Sequence, residues 1–500
     1  MSTLVADVAV VGAGPAGVAA ALAAADLGAQ VVLVDAGQAV GGQIYRQPAT
    51  AAAAGVTAVG PKMPRRLDRV VGHPRIKHLP GTVVWQAVSR AGGAGGVEFR
   101  LWLTSASGRT EAGRSEAEHV VARAVVVASG ASEVVLPFPG WELPGVTTVG
   151  AAQALLKGQG VVAGRRVLVA GSGPLLLPAA AGLAEAGVEV VAVLEANPVT
   201  LGTVARGARL AGFTKKVGEA AGYARILGQK RVPVRAGYAV TECSGDGQVE
   251  RAVVSRVDRD WRVVPGSGRS LAVDAVHVSF GFSPALELPR LLGCAELAQP
   301  GRPSAKVWCD ADQATSQAGV FAAGETTGVA GAEVAELEGY LGGVSAVRYL
   351  RKTRPEVSLF NMDGEGLRAG SGEQDGQEVR AVQRVRAALV RARRFADGLD
   401  ALYPWRDGWL EWARPETILC RCEEVAWGAI EAAVADGARD VRAVKGVTRC
   451  GMGYCQGRVC GPALQQAVAA ATRQGLSGVG DLGSRPVMAP VSLGTIAGSA

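Results

Sequence analysis

The chain is 500 residues long, 48% hydrophobic, rich in glycine (69 residues) and carries a formal net charge of +7 at pH 7. At roughly 150 residues per domain that length allows about three domains, and the apolar and glycine content suits an α/β protein with many tight strand-to-helix turns. The charge comes from scattered arginines with no compact basic stripe, which argues against a nucleic-acid groove, and no apolar run reaches the ~18 uncharged residues a membrane span needs.

Leu4–Val11 reads as a buried strand at the very start, so no signal peptide is expected and the chain is read as cytoplasmic. The turn Gly12-Ala-Gly14-Pro15-Ala16-Gly17 follows, then a helix from Pro15 to Leu27, a strand Val31–Val34 and the acidic Asp35. This is the β-α-β dinucleotide fingerprint. Gly12 permits the tight turn, Gly14 lets the backbone approach a pyrophosphate, and Gly17 lets helix and strand pack closely. The helix N-terminus faces the phosphates, and Asp35 can accept a hydrogen bond from a ribose hydroxyl. Gly42, Gln43 and Arg46 follow closely in Gly41–Arg46 and point to FAD over NAD.

Residues 91–115 are Gly-, Ser- and Arg-rich and read as hairpins or loops. Ala124–Gly130, ending in Ser129 and Gly130, reads as a strand returning to the first domain. A second unit then appears: strand Arg166–Ala170, turn Gly171-Ser172-Gly173, helix Leu175–Ala186, strand Val188–Leu194 and Glu195. Here Leu176 stands where the third glycine belongs and is expected to push the helix off the strand, and Pro178 removes a donor early in that helix. Glu195 favours a free ribose 2′-hydroxyl, so the second site is open between an adenine nucleotide (ATP or NAD) and a vestigial fold. A further return strand, Gly319–Glu325, carries Gly324 and Glu325 and leads to Val329 and Ala330. The second domain is therefore expected to be inserted into the first.

Residues 361–378 are the best linker candidate, and Arg380–Arg394 alternates arginine with Val382, Val385 and Leu389 as an amphipathic helix does. Tyr403–Trp412 is read as aromatic anchoring of a linker. Expected boundaries are 1–140 with 315–355 for the first domain, 141–314 for the second, 356–415 for a helical linker, 416–475 for a metal domain and 476–500 for an extended tail.

Five of the eight cysteines cluster late: Cys420-Arg-Cys422, then Cys450, Cys455 and Cys460. Short-spaced thiolates on Gly-rich turns suit a [2Fe–2S] cluster, with backbone amides reaching the sulfurs; zinc is the alternative. Five candidates stand for four places, and Cys420, Cys422, Cys455 and Cys460 are chosen with Cys450 as the spare. Cys243, Cys294 and Cys309 read as core residues, and the four histidines show no ligand spacing. No Cys-x-x-Cys or Cys-x4-Cys pair directly follows the first nucleotide unit or sits in the second domain, so disulfide-reductase chemistry lacks its thiols.

Together these motifs, with Pro137–Gly145, Gly324–Gly331, Cys420–Glu424 and Thr448–Cys460, resemble the larger flavin subunit of opine oxidases, of hydrogen cyanide synthase and of the heteromeric dehydrogenases that act on D-hydroxyproline and proline. The α subunit of heteromeric sarcosine oxidase is a more distant look-alike. The cysteine region is similar to bacterioferritin-associated ferredoxin, whose second pair is Cys-x-x-Cys where this chain has Cys455-x4-Cys460. The resemblance implies an α/β fold of two Rossmann-like domains, the second inserted in the first, as in two-dinucleotide flavoproteins, plus a small helical [2Fe–2S] domain. In such flavoproteins the late Gly-acid pair, here Gly324-Glu325, touches the ribityl–phosphate part of the flavin, and Val329–Ala332 lies near its ring. The resemblance further implies FAD, a [2Fe–2S] cluster, an FMN at an interface between subunits, and a partner β subunit similar to D-amino-acid oxidase that oxidises a C–N bond. A small ferredoxin-like subunit occurs in some members, and the acceptor is a quinone, a dye or oxygen. Through such a complex the chain could sit on the inner membrane face. No catalytic base is expected in this chain. The rival readings are a self-contained NAD(P)H-dependent flavin/iron–sulfur reductase, and a subunit whose second site and cluster are mainly structural.

Overall fold

A computed structural model describes residues 3–49, 66–91, 97–106, 119–208, 210, 212–353, 372–483 and 487–498. The first domain is built on a seven-stranded sheet in the order Ile76–Leu79, Val31–Val34, Thr3–Val11, His119–Val127, Val97–Ser105, Thr82–Ala91, with Val320–Ala322 also laid parallel to His119–Val127. Its central strands are parallel, Val8 opposite Val31 and Ala124, and covered on both faces, which is why they read as unbroken apolar runs. Thr82–Ala91 and Val97–Ser105 form the hairpin expected around residue 91.

Helix Pro15–Asp26 covers one face of this sheet and is crossed by the long helix Ala332–Thr353. The crossing is a backbone contact. A Cβ on Gly339 would lie 2.0 Å from the Ala16 carbonyl oxygen, and one on Gly343 would lie 2.3 Å from that of Ala20. Two glycines one turn apart let the helices touch where any side chain would part them.

Between the strands of this sheet the chain builds a second domain. Its five-stranded parallel sheet runs Val234–Ala236, Glu189–Glu195, Arg166–Gly171, Ala275–Ser279, Val146–Thr148, with a three-stranded antiparallel sheet (Tyr238–Ser244, Arg251–Arg256, Arg269–Ala272) beside it. Ala131–Glu133 and Phe282–Pro284 pair antiparallel where the chain passes between the domains. The second domain is thus inserted in the first.

Helix Gly372–Asp400 overlaps the stretch expected to be linker over 361–378, so the part from 372 is helix; the rest of that stretch lies outside the described residues. Val382 and Leu389 face inward, while Arg386 and Arg393 reach Asp312 and Glu338. The C-terminal domain packs helices Trp427–Ala435, Val441–Thr448 and Gly461–Thr472 around the cysteine loops. The stretch from 476, expected to be extended, instead holds the short helices Leu476–Val479 and Leu493–Gly498. Leu482 fills the space above Gly451 and Gly457, where a Cβ would lie 2.7 and 2.0 Å from it. No helix among the described residues is long and apolar enough to cross a membrane.

Candidate functional site

The first site is assembled from both ends of the first domain. Gly12 has φ 104°, and a Cβ there would lie 2.2 Å from the Ala128 carbonyl oxygen. A Cβ on Gly17 would lie 1.7 Å from the Gly12 oxygen, so helix and turn are in backbone contact. Above Gly14 and Gly130 there is open space, which is what a phosphate approaching a helix N-terminus requires. Asp35 accepts from the Ala13 amide at 2.5 Å and the Gly37 amide at 2.6 Å. Its carboxylate thus braces the turn and keeps its remaining lone pairs for a ribose.

Gly42 packs on Gly14, a Cβ there falling 2.8 Å from the Gly14 Cα. Arg46 donates to Gln43 Oε1 at 2.5 Å. Gly324 closes against the first helix, its would-be Cβ 2.9 Å from that of Ala16, so the Gly12–Gly17 turn and the Gly324–Thr327 turn face each other. Glu325 belongs to the second of these turns, and burial alone pushes its carboxyl above the ordinary range. Ser129 donates to the Ala285 carbonyl at 3.1 Å and lies 3.4 Å from Thr326. Gly328 has φ 124°, Val329 is 38% exposed beyond the turn and Ala330 is half-buried. A residue that sequence reasoning missed fixes this turn. Glu338, fully buried, accepts from the Gly324 amide at 2.9 Å and Thr327 Oγ1 at 2.7 Å. Its signal was an acid on the glycine-lined face of a helix. The open phosphate cradle and the desolvated Glu325 fit a flavin dinucleotide.

The second nucleotide unit is arranged differently. Helix Leu176–Glu185 opens only at Leu176, leaving Pro174 and Leu175 as a turn, whereas the first unit's helix opens at Pro15, directly after Gly14. Leu176 is 2% exposed and has become core. Glu195 braces its turn as Asp35 does and takes one bond more: it accepts from the Gly173 amide (2.9 Å), the Asn197 amide (2.9 Å) and Asn197 Nδ2 (3.0 Å). Burial pushes the Glu195 carboxyl up despite those bonds. Asn197 also donates to Ser172 (2.8 Å) and accepts from Trp261 Nε1 (3.3 Å). Tyr403 stands close enough to feel the charge of Glu195, its hydroxyl pushed up to about 12 chiefly by burial. Trp405 packs on Trp261 at 6.1 Å. The aromatic stretch Tyr403–Trp412 therefore covers the ribose end of this unit, while the space over Gly173 stays open.

The third site lies where the C-terminal domain meets the second. Cys420, Cys422, Cys455 and Cys460 all open on one cavity of about 200 Å³, whose far wall is Glu133, Trp141, Val146 and Thr148. Gly451 donates to Cys420 Sγ at 3.5 Å, as expected of a glycine turn at a cluster. A Cβ on Gly453 would lie 2.3 Å from that of Cys422, so the two cysteine loops touch. Cys422 is exposed and Cys420 and Cys460 are buried. Cys450 is buried too, and its sulfur lies within 4.8 Å of those of Cys420 and Cys460, but it does not line the cavity. Hydrogen bonds, first from Cys450 and then from Cys460, hold the Cys420 thiol down to about 2, and Cys450 is pushed up as a donor. Trp141 donates to the Ile418 carbonyl at 2.5 Å, and the Arg421 guanidinium lies 5.7 Å above its ring. Nothing in the sequence marked Glu133, and Trp141 stood in the Pro137–Gly145 motif without a role at this site, because their partner loop lies far along the chain. Four thiols lining one cavity fit a [2Fe–2S] cluster. Beyond the loop lies a cleft of about 1140 Å³, lined by Arg290, Arg302, Arg442 and Arg458 together with Glu287, Asp440 and Asp481. Cys243 and Cys294 are core residues and Cys309 is half-buried. No histidine joins a metal-competent group among the described residues.

Comparison with known proteins shows the family and the fold. Residues 6–339 match the pyridine nucleotide-disulphide oxidoreductase family profile, and residues 418–470 match that of the BFD-like [2Fe-2S] binding domain. The A subunit of opine oxidase from Agrobacterium tumefaciens (strain Ach5) is 32% identical over 98% of this chain and 91% of its own length. The HcnB subunit of hydrogen cyanide synthase from Pseudomonas aeruginosa is 32% identical over 90% of each chain. The alpha subunit of sarcosine oxidase from Corynebacterium sp. (strain P-1) is 30% identical over 56% of this chain but 27% of its own length. The fold matches L-proline dehydrogenase from P. horikoshii with a TM-score of 0.63 at 18% identity, over 99% of this chain and 80% of that one.

Proposed function

We propose, for a chain that belongs to the pyridine nucleotide-disulphide oxidoreductase family and carries a BFD-like [2Fe–2S]-binding domain, that this oxidoreductase is the electron-relaying subunit of a heteromeric amine or amino-acid dehydrogenase. FAD would be held by Gly12–Gly17, Asp35, Gly42, Gln43, Arg46, Ser129, Gly130, Gly324, Glu325, Val329 and Ala330. The cluster would be held by Cys420, Cys422, Cys455 and Cys460. When bound, a flavin accepts electrons in pairs and releases them singly, and a [2Fe–2S] cluster carries one at a time, the chemistry an electron relay needs.

The observation that carries this reading is the four-thiol cavity walled by the flavoprotein module itself. The chain's own residues bind, orient and exclude water; none is assigned proton abstraction. The C–N bond of an opine, D-hydroxyproline, proline, sarcosine or glycine-class substrate is oxidised in a partner similar to D-amino-acid oxidase. We assign the arginine-rich cleft beside the Cys455 loop to that partnership, including an interface FMN. A small ferredoxin-like subunit, and a quinone, dye or oxygen, are the downstream candidates. Residence on the inner membrane face would come only through such a complex. The alternative, a self-contained NAD(P)H-dependent reductase, has less support, because the second unit's helix opens only at Leu176, a buried leucine where the first unit has Gly17.

Expressed alone, the chain should bind flavin and iron yet oxidise no amino acid; dye-linked turnover should appear on co-expression with its partner. Amino-acid turnover by the isolated chain would refute the proposal.

A further inference from the structure

Cys450 is the one cysteine of the C-terminal group that the cluster cavity leaves out. It is 0% exposed, sits behind the cavity wall and keeps its sulfur within 4.8 Å of Cys420 and Cys460. It follows helix Val441–Thr448, whose last residue Thr448 accepts from the Cys450 amide through its hydroxyl at 3.2 Å. Arg449, at φ 66°, caps that helix and turns the chain so that Cys450 faces inward. The position is therefore held by the helix end, independently of any iron.

The thiols divide into two pairs. Cys420 and Cys460 are buried and adjacent. Cys422 is exposed and Cys455 is half-exposed, and the two lie within reach of each other. Cys450 groups with the inner pair. Resting on the ligand set proposed above, we propose that Cys450 is a positioning residue: a non-ligating thiol that donates its hydrogen bond to the inner Cys420 sulfur and makes the cluster easier to reduce. A donor aimed at a ligand sulfur withdraws negative charge from it. It therefore stabilises the reduced cluster, which carries one more electron, over the oxidised one. The Gly451 amide, 3.5 Å from Cys420 Sγ, is a second donor to the same sulfur. The outer pair receives no such thiol.

The test uses the full chain with its cluster reconstituted, in the variants Cys450→Ala, Cys450→Ser and Cys422→Ser. Iron and sulfide content, visible absorption and a redox titration against a reference dye are read together. Cys450→Ala should keep full iron and sulfide, while its equilibrium constant for reduction by the dye falls roughly tenfold, the size of one hydrogen bond to a charged acceptor. Cys450→Ser, whose hydroxyl still donates, should recover part of that loss. Unchanged reduction in Cys450→Ala, with the cluster intact, overturns the proposal. So does loss of the cluster from both Cys450 variants. Retention of a full cluster by Cys422→Ser would instead overturn the ligand set on which the proposal rests.

Discussion

Gly17 has no room for a side chain, since its Cβ would fall 1.7 Å from the Gly12 carbonyl oxygen, a backbone atom that cannot step aside without opening the turn. Gly17→Ala should cost about 1–3 kcal/mol as an overpacked site and should purify without flavin, read from visible absorbance per protein and a lowered Tm. His277 makes a different kind of prediction. It is fully buried, lies opposite Thr147 in the register and bonds to its hydroxyl at 2.8 Å through Nδ1. Burial pushes its imidazole down from 6.5 to about 4. Above pH 6.5 it is neutral whether folded or unfolded and adds no pH dependence. Between pH 6.5 and about 4 only the unfolded chain takes up the proton, so stability falls with pH, by about 3 kcal/mol across that window. Urea midpoints should drop accordingly, and His277→Gln should flatten that part of the profile.

Elements explain why two similar fingerprints behave differently. In the first unit the helix starts directly after Gly14 and aims its free amides at open space. In the second, Leu176 sits in the core and the helix starts two residues later relative to its turn. That much was legible from one residue, because a β-α-β unit is local and the leucine stands at a position where only glycine allows close packing. The aromatic cover was not legible: Tyr403, Trp405 and Trp261 come from stretches far apart in sequence, and Tyr403–Trp412 read only as anchoring. Glu338 and Glu133 were missed for the same reason, since their partners lie on other elements. The consequence is testable. NADH should bleach the flavin of the isolated chain no faster than buffer alone does, and a saturable, NADH-dependent bleaching phase would show that the second unit still serves a coenzyme.

At the scale of the whole molecule, the second domain and the C-terminal domain share one apolar core. Phe138, Trp141, Val276 and Phe280 belong to the same buried cluster as Trp409, Leu419, Val441 and Leu464, whereas the strands of the first domain pack into clusters of their own. Polar contacts stitch the seam: Trp412 Nε1 to the Trp261 carbonyl at 2.9 Å, Trp141 Nε1 to the Ile418 carbonyl at 2.5 Å, and Arg414 to Glu242 at 2.6 Å. Buried aromatics contribute roughly 150–250 Å² each, on the order of 4–6 kcal/mol apiece at ~25 cal/mol per Å² before entropy. Such a seam does not slide, and it would hold the thiol cavity in one orientation against the flavin module. A domain rotation that swings the second unit toward a coenzyme would have to tear that core open. Removing the cluster takes away the bonds that tie the cysteine loops together, and the damage should travel along the shared core. Hydrogen exchange on chelator-treated chain should therefore rise in Arg166–Gly171 and Ala275–Ser279 as well as in Gly461–Thr472, while Thr3–Val11 stays protected. If exchange rises only in the C-terminal helices, the two domains are separate cooperative units and the cluster is held by its own domain alone.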